Sequence, residues 1–261
     1  MSTTPLALIT GASSGIGVQL AEQYAANGIP LLLVARRQVE LEAVAANLRR
    51  RFPVRVEVLA TDLSAIDAVP TLVAEVERRG LRVGHLVNNA GCGLFGHVQD
   101  NDPQRQAALI QLNVATLMRL TRAYLPQLIA TRGSLLNVAS TADFQPLPRM
   151  AVYGASKAFV LNFTEAIAAE TRGTGLRVSC LCPGATETPF HATAGSLDSQ
   201  MHQRRMPSAA WVAAVGYRGL QRGKVVVVPA FGDWALTQLI RLLPRWMVRR
   251  IVNGVMAPAA I

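Results

Sequence analysis

A tyrosine and a lysine, Tyr153 and Lys157, stand four residues apart in the segment Tyr-Gly-Ala-Ser-Lys. On a helix this spacing places both side chains on one face. Because a nearby ammonium group favours phenolate over phenol, the pair predicts a Tyr153 pKa lowered from about 10 toward neutrality. A phenol of that kind can give and take a proton, as a general acid/base must.

A hydroxyl group is expected beside this pair. Ser140 stands thirteen residues before Tyr153 and directly follows the apolar run Leu135–Ala139. Such a run predicts a buried strand, so the Ser140 hydroxyl is expected at the carboxyl end of that strand. The Tyr-x-x-x-Lys pattern is common by chance, and it gains weight only from this serine and from the motif described next.

Residues 10–17 read Thr-Gly-Ala-Ser-Ser-Gly-Ile-Gly, between an apolar run and a helical pattern. In that context the glycines provide a tight turn, a close approach of the backbone to a pyrophosphate and close helix packing. The helix N-terminus offers free N–H groups to the phosphates. The pattern favours a dinucleotide site over the alternative, a glycine-rich turn with no ligand.

The second strand ends in Ala35-Arg36-Arg37, where a domain that prefers NAD usually carries an acidic residue for the ribose 2′-hydroxyl. A guanidinium group pairs with a 2′-phosphate, whereas a carboxylate repels it, so the sequence predicts NADP(H). Arg36 is the first candidate because it follows the strand directly, and Ser13 is expected to be a second donor. The alternative is that both arginines are only solvated residues at a helix start.

Short apolar runs alternate with longer amphipathic segments along the chain. This alternation predicts a doubly wound α/β domain with a parallel sheet of about seven strands. The strands are expected at Leu6–Thr10, Pro30–Ala35, Val54–Ala60, His85–Asn88, Ser134–Ala139, Arg177–Cys182 and Lys224–Val228, and the helices at Val18–Ala26, Gln38–Arg51, Ala65–Arg79, Gln104–Ala130 and Tyr153–Thr171. We expect one domain over residues 1–232, with a substrate loop or lid at about 190–206, and a helical extension over residues 233–261.

The chain has 261 residues, of which 51% are hydrophobic and 16% charged. This composition excludes disorder of the whole chain. No apolar run is long enough for a membrane-spanning helix, and the N-terminus reads as a first strand without the basic region of a signal peptide. The three cysteines fit neither a disulfide framework nor a common zinc motif, so we expect a reducing, cytoplasmic location and no metal.

The net charge of +10 is concentrated at one end of the chain. Residues 201–261 contain nine basic side chains and one acidic side chain, Asp233. A nucleic-acid partner is not expected because the basic residues lack aromatic interleaving and a known motif. Pro244 is expected to end or kink a helix that has an apolar stripe of Leu236, Leu239, Ile240 and Leu243. This extension is expected either to pack over the pocket or a subunit, or to make weak peripheral contact with a membrane.

With these motifs in this order, residues 5–230 resemble the classical short-chain dehydrogenase/reductase family, a Rossmann-type fold. The catalytic residues of that family match Asn113, Ser140, Tyr153 and Lys157. The predicted cofactor residues are Gly11, Ser13, Ser14, Gly15, Ile16, Gly17, Arg36, Arg37, Asp62, Leu63, Asn89, Ala90, Gly91, Tyr153, Lys157, Pro183, Gly184, Thr186 and Thr188. Within this set the resemblance assigns Asp62-Leu63 to the adenine and the segment from Pro183 to the nicotinamide.

The resemblance implies an oxidoreductase that moves a hydride between nicotinamide and a carbonyl or alcohol carbon. Tyr153 would be the general acid/base, Ser140 would fix the reacting oxygen, and Lys157 would lower the Tyr153 pKa and bind the ribose. Asn113 would hold a water of a proton relay, although an asparagine inside a helix can also simply bond a neighbouring backbone group. The family also implies a homodimer or homotetramer.

The substrate is expected to be a lipophilic ketone or alcohol, as for a ketoreductase. The candidate pocket residues are mostly apolar: Cys92, Leu94, Phe95, residues 144–150, Phe190 and His191. Apolar pockets of this kind suit lipophilic substrates. The alternative function is a catalytically inactive NADP(H)-binding regulator or scaffold, which the intact set of four catalytic residues disfavours.

Overall fold

Seven strands form one parallel sheet among the residues that the structure, a computed structural model, describes, namely 4–196 and 206–256. Their order across the sheet is β3-β2-β1-β4-β5-β6-β7. The strands are β1 Leu6–Thr10, β2 Leu31–Ala35, β3 Val56–Ala60, β4 Val83–Asn88, β5 Ser134–Val138, β6 Arg177–Leu181 and β7 Val226–Val227. The predicted doubly wound α/β fold is confirmed, and β7 is shorter than expected.

Helices connect the strands and cover both faces of the sheet. They are α1 Gly15–Ala26, α2 Gln38–Arg51, α3 Ala68–Arg78, α4 Pro103–Ile110, α5 Leu117–Ala130, α6 Ala151–Glu170, α7 Phe190–Ala194, α8 Ala209–Gln221, α9 Phe231–Leu242 and α10 Arg245–Val255. A π-helical turn, Gln111–Thr116, joins α4 to α5, and a 3₁₀ turn, Thr141–Phe144, follows β5.

The central strands are apolar throughout because both of their faces are covered. All residues of β1, β2 and β5 are buried. Alternate residues of β1 enter two different core clusters, Ala7 and Ile9 one cluster and Leu6 and Leu8 the other. Since successive side chains of a strand point to opposite faces, the protein has one core on each side of the sheet.

Buried polar side chains tie the middle of the sheet to its helices. The Asn88 side-chain amide donates to Thr121 Oγ1 at 3.1 Å and to Asn137 Oδ1 at 2.9 Å, and Asn137 Nδ2 donates to Thr164 Oγ1 at 2.9 Å. These bonds join β4, β5, α5 and α6. They fix the register of the two strands whose carboxyl ends lead into the site.

The order of the strands reverses between β1 and β4, which lie side by side. At such a point the connections leave toward opposite faces and open a crevice at the carboxyl ends of the strands, where ligands bind in this architecture. The Gly11 turn after β1 and the Asn89 segment after β4 both border this crevice. The fold therefore brings the predicted motifs to one edge of the sheet.

The C-terminal extension consists of two helices separated at Pro244, as predicted. The apolar stripe predicted for α9 is only partly buried. Leu236 and Leu239 are exposed, while Ile240 and Leu243 pack against the core cluster at the substrate end. The next helix, α10, buries Val248 and Val252 in that same cluster. The division at residue 232 stays a prediction.

The segment predicted as a substrate loop is partly helical. Phe190–Ala194 forms α7, which ends at Gly195 in a left-handed conformation. Residues 197–205 lie outside the described residues. In the part of the chain that the structure describes, every helix is too short or too polar to cross a membrane.

Candidate active site

The turn between β1 and α1 is held by the residues that follow β4. Thr10 Oγ1 accepts the backbone N–H groups of Asn89 and Ala90, both at 3.0 Å. In return, Asn89 Nδ2 donates to the carbonyl oxygens of Thr10 at 2.9 Å and of Gly11 at 3.1 Å. The glycine motif and the Asn-Ala-Gly motif are thus one bonded unit, although they are nearly eighty residues apart in sequence.

Two glycines of this turn have no room for a side chain. A Cβ atom on Gly17 would lie 2.3 Å from the Gly11 carbonyl oxygen and 2.5 Å from Asn89 Nδ2. Gly11 itself has a φ of +65°, a conformation that favours glycine. These positions need glycine for the close packing of the turn, as the sequence predicted.

A cavity of about 480 Å³ runs along the carboxyl edge of the sheet. Of the predicted cofactor and catalytic residues, all line it except Gly17 and Asn113, which lie behind its wall. At one end the wall consists of the β1–α1 turn with Arg36 and Asp62, and at the other it consists of Tyr153, α7 and the end of α10. The structure therefore brings the two predicted groups of residues together in one crevice.

The two arginines after β2 lie at the glycine-motif end of the cavity. Arg37 Nη2 donates to Ser13 Oγ at 3.1 Å, and Arg37 Nη1 is 3.5 Å from Glu40 Oε1. The Arg36 side chain is exposed and interacts electrostatically with Asp62. Arg37 is thus the arginine paired with Ser13, whereas the sequence favoured Arg36 as its partner in phosphate binding.

The remaining residues assigned to the cofactor are fixed by local hydrogen bonds. Asp62 Oδ1 accepts from the Ser64 amide at 3.0 Å and from the Ser64 hydroxyl at 2.7 Å. The Leu63 carbonyl oxygen accepts from Thr116 Oγ1 at 2.8 Å. Thr186 Oγ1 donates to the Gly184 carbonyl oxygen at 2.9 Å.

The buried side chains of Tyr153 and Lys157 and the half-buried Ser140 form a group at the other end of the cavity. Tyr153 and Lys157 share the buried face of α6, and Lys157 Nζ lies 5.8 Å from the centre of the Tyr153 ring. Ser140 hydrogen-bonds to Tyr153 from the carboxyl end of β5. Lys157 Nζ donates to the Val138 carbonyl oxygen at 2.8 Å.

The expected lowering of the Tyr153 pKa is wrong for the chain as it stands. Burial raises the pKa of Tyr153 to about 12, and the hydrogen bond with Ser140 does not offset this. The Asp143 charge contributes to this higher pKa in the same direction as burial, but by less. The spacing correctly predicted a shared helix face, but it could not show how deeply the phenol is buried or that a carboxyl group lies near it.

Asn113 lies in the π-helical turn and is 1% exposed. Its Nδ2 donates to the Cys92 carbonyl oxygen and to Ser156 Oγ, both at 3.0 Å, and its Oδ1 accepts from the Cys92 amide at 3.0 Å. The side chain therefore joins the segment after β4 to α6. Its role in a proton relay stays a prediction.

The substrate end of the cavity is mostly apolar. Six of the predicted pocket residues line it, namely Cys92, Gln145, Leu147, Met150, Phe190 and His191. The others do not: Leu94 and Phe95 are in the core cluster behind it, Phe144 is in another cluster, and Arg149 Nη1 donates to the Met256 carbonyl oxygen at 3.3 Å. Arg149 is thus bound to the end of α10 and does not line the cavity.

Met256 and Asp143 are among the site residues that were not predicted from the sequence. Met256, just after α10, is 1% exposed and lines the cavity, which periodicity alone could not reveal. Asp143 is buried beside Ser140 and forms a capping box with it. The spacing Ser140-x-x-Asp143 is a known signature of that motif and could have identified the contact.

The residues present fit a dinucleotide with a nicotinamide ring. The elongated cavity begins at a glycine turn too tight for side chains and ends at Tyr153 and Lys157. Ser14, before α1, has extended backbone angles and no side-chain cap, which is compatible with a phosphate at the free N–H groups of the helix.

The known proteins that resemble this chain agree with this geometry. The short chain dehydrogenase family model matches residues 5–198. Sulfoacetaldehyde reductase 2 of Chromohalobacter salexigens is 40% identical over 188 residues, 71% of this chain and 74% of that protein. The 7beta-hydroxysteroid dehydrogenase of Collinsella aerofaciens is 36% identical over 183 residues, 70% of this chain and 69% of that protein.

Among solved structures, a short-chain dehydrogenase from Sphingobium yanoikuyae in complex with NADPH is 31% identical. It covers 98% of both chains with a TM-score of 0.82. The glycine turn, the Tyr153–Lys157 face and these matches lead to one conclusion: the chain belongs to the short-chain dehydrogenase/reductase family, oxidoreductases that use a nicotinamide cofactor on carbonyl or alcohol groups.

Proposed function

We propose that this protein is an NADP(H)-dependent ketoreductase for a lipophilic ketone or the corresponding alcohol, with Tyr153 as the general acid/base. The observation that supports this most directly is the Ser140–Tyr153–Lys157 group, which lies between the cofactor motifs and an apolar pocket. When bound, the nicotinamide supplies or accepts the hydride at the reacting carbon.

The residues of the chain supply orientation and the proton. Ser140 donates a hydrogen bond to the carbonyl oxygen and holds it beside the phenol. Tyr153 then gives that oxygen a proton in reduction, or takes it from the alcohol in oxidation. A phenol with a pKa raised to about 12 is protonated at neutral pH, which favours the donating role. Lys157 holds its positive charge next to the ring and binds the ribose hydroxyls.

The preference for NADP(H) over NAD(H) rests on the charge at the glycine-motif end of the cavity. Arg36, Arg37 and Ser13 line it, and Arg37 already bonds to Ser13. Two guanidinium groups and a hydroxyl are the donors that a 2′-phosphate needs. The relative from Sphingobium yanoikuyae is described with NADPH.

The proposal of a lipophilic substrate is supported by the residues at the opposite end of the cavity. Cys92, Leu147, Met150, Phe190 and Met256 line it, and among the described residues there Lys157 is the single lysine or arginine. A charged substrate such as the one in the name of sulfoacetaldehyde reductase 2 would find no second cation in this described wall. A bulky, uncharged ketone fits it better.

Three wider proposals accompany this activity. The three cysteines are free, which supports a reducing, cytoplasmic location. The family supports a homodimer or homotetramer. The outer face of α9 and α10 exposes Phe231, Leu242, Trp246 and several arginines, and we propose that it makes weak peripheral contact with anionic lipid.

The activity is tested by following NADPH consumption over a panel of lipophilic ketones, quinones and aldehydes, with sulfoacetaldehyde included. We expect turnover of a bulky ketone and a loss of at least about 100-fold in kcat for Tyr153→Phe, because the proton donor is removed. Folding of the variant is checked by NADPH binding and thermal unfolding. A folded Tyr153→Phe protein with wild-type turnover would show that the mechanism is wrong, and NADPH binding without any turnover would support the inactive alternative.

A further inference from the structure

Asp143 is a buried carboxyl group next to the proposed catalytic residues. It lies in the 3₁₀ turn after β5 and is 7% exposed. A buried carboxylate without a cationic partner in direct contact is costly, so a side chain of this kind needs a reason for its position.

One carboxylate oxygen of Asp143 fixes the backbone of Ser140. Asp143 Oδ2 accepts from the Ser140 amide at 3.3 Å, while Ser140 Oγ accepts from the Ala142 amide at 3.2 Å. These reciprocal bonds form a capping box, which restricts the conformation of both residues. The position of the Ser140 hydroxyl next to Tyr153 thus depends on Asp143.

The other oxygen, Oδ1, is buried and has no hydrogen-bond partner among the described residues. Its surroundings come from three elements. On β6 and at its end, the Cys180 and Cys182 sulfur atoms lie within 4.8 Å of each other and of an Asp143 oxygen. Tyr153 and Lys157 of α6 interact with the carboxyl group electrostatically.

The third element, α9, contributes no direct partner to this carboxyl group. Its Arg241 guanidinium lies over the Phe144 ring, 5.8 Å from the ring centre, and its Asp233 packs against Gly184. The charge of Asp143 is therefore balanced mainly by Lys157. Burial raises the pKa of Asp143 to about 7, and Cys182, the Ser140 amide and the Lys157 charge lower it by less.

We propose that Asp143 is a positioning residue of the active site, which orients Ser140 through the backbone and whose negative charge keeps the proton on Tyr153. This inference rests on the proposed function, because it assigns the acid/base role to Tyr153. A negative charge near a phenol disfavours the phenolate. Ionisation of Asp143 therefore makes Tyr153 a weaker acid in reduction. It also raises the pH at which Tyr153 can act as a base in oxidation.

The test separates the charge from the hydrogen bond. Asp143→Asn keeps an oxygen that can accept from the Ser140 amide but cannot ionise, whereas Asp143→Ala removes both. The pH profile of kcat is measured with NADP(H) and the fastest ketone and alcohol pair of the panel above. For Asp143→Asn we expect the basic limb of the reduction profile and the acid limb of the oxidation profile to move to lower pH by about 0.5 to 1 unit. On the acid limb, this shift corresponds to a ~3- to 10-fold higher rate of alcohol oxidation.

The controls identify which idea fails. Asp67→Asn, at an exposed carboxyl before α3, should leave the profile unmoved. If Asp143→Asn lowers kcat equally at every pH, or changes nothing, the charge has no such role and the inference is wrong. If Tyr153→Phe retains turnover, the proposed function fails whatever Asp143 does.

A second measurement does not depend on the folding of a variant. The infrared spectrum of the wild-type protein should retain a protonated-carboxyl band at about pH 6, where ordinary carboxyl groups with pKa values near 4 are ionised. That band should disappear as the pH rises through neutrality. A protonated-carboxyl band that persists above about pH 9 would overturn the inference even if neither Asp143 variant folds, because Asp143 would then carry no charge where Tyr153 acts.

Discussion

The arginines after β2 are the clearest case of single residues on which a preference should depend. Arg36 and Arg37 line the same end of the cavity, and only Arg37 has a bond to Ser13. Because a 2′-phosphate is the difference between the two cofactors, removal of these charges should affect NADPH much more than NADH.

We expect the double variant Arg36→Ala/Arg37→Ala to lose about 10- to 100-fold in kcat/KM for NADPH, the size of one or two charged hydrogen bonds, with little change for NADH. The single variants divide this loss between the two arginines. Arg50→Ala, at the far end of α2, serves as the control because its guanidinium bonds only to Asn47 in the part of the chain described. An unchanged NADPH/NADH ratio in the double variant would refute the phosphate assignment.

At this scale the sequence indicated which residues meet but not their electrostatic environment. The spacing of Tyr153 and Lys157 was sufficient to predict a shared helix face. The Tyr153 pKa depends on burial under neighbouring elements, among them Phe190, whose ring centre is 5.3 Å away. Such contacts form between distant segments, and residue spacing does not contain them.

At the scale of elements, the turn between β1 and α1 shows how strongly packing limits a position. Gly17 and Gly254 are both helical glycines, but a Cβ on Gly17 meets backbone and Asn89, whereas a Cβ on Gly254 meets nothing within 4 Å. The same substitution should therefore have opposite effects in α1 and in α10.

We expect Gly17→Ala to lower the free energy of unfolding by about 1–3 kcal/mol through overpacking, and to weaken NADPH binding as the turn shifts. Gly254→Ala should raise it by about 0.5 kcal/mol, because alanine has the higher helix propensity. Chemical denaturation and NADPH titration measure both quantities. A Gly17→Ala protein as stable as the wild type would contradict the tight packing of this turn.

The strands were predictable because full burial leaves continuous apolar runs between polar turns. The errors were at the ends of elements. At β7 the prediction Lys224–Val228 was too long, since this strand pairs only with β6 and Pro229 has no N–H to continue the ladder. The π-helical turn that holds Asn113 has the same apolar period as its flanking helices, and the prediction therefore treated the region as one helix.

At the scale of the whole molecule, the four arginines of α9 and α10 are all exposed, on the same two helices as several exposed large apolar side chains. Phe231 is 79% and Leu242 82% exposed, and Trp246 is 59% exposed. Exposed aromatic and aliphatic groups next to arginines are typical of helices that lie on an anionic membrane surface. The sequence left open whether this segment covers the pocket or meets a membrane, and the structure shows that α10 packs toward the pocket with one face only.

We expect the full chain to co-sediment with phosphatidylcholine vesicles containing phosphatidylglycerol at low salt, and to bind pure phosphatidylcholine weakly. Arg249→Glu/Arg250→Glu should reduce this binding by at least ~30-fold, since each arginine at such a surface contributes about 1 kcal/mol. Arg82→Glu/Arg172→Glu, an equal charge change before β4 and β6, should have little effect. Absence of binding by the wild type, with a dimer or tetramer found by light scattering, would assign this face to a subunit contact instead.

The two ends of the cavity are built from different kinds of structure. The glycine-motif end belongs to turns bonded directly to β1 and β4, so a change there disturbs the sheet. Apart from Cys92 after β4, the substrate wall comes from α7, the residues before α6 and the end of α10, none of which contributes a strand. Substitutions in this wall can therefore change the substrate without disturbing the strands and turns that bind the nucleotide. The same residues are the positions at which a protein engineer can vary substrate choice.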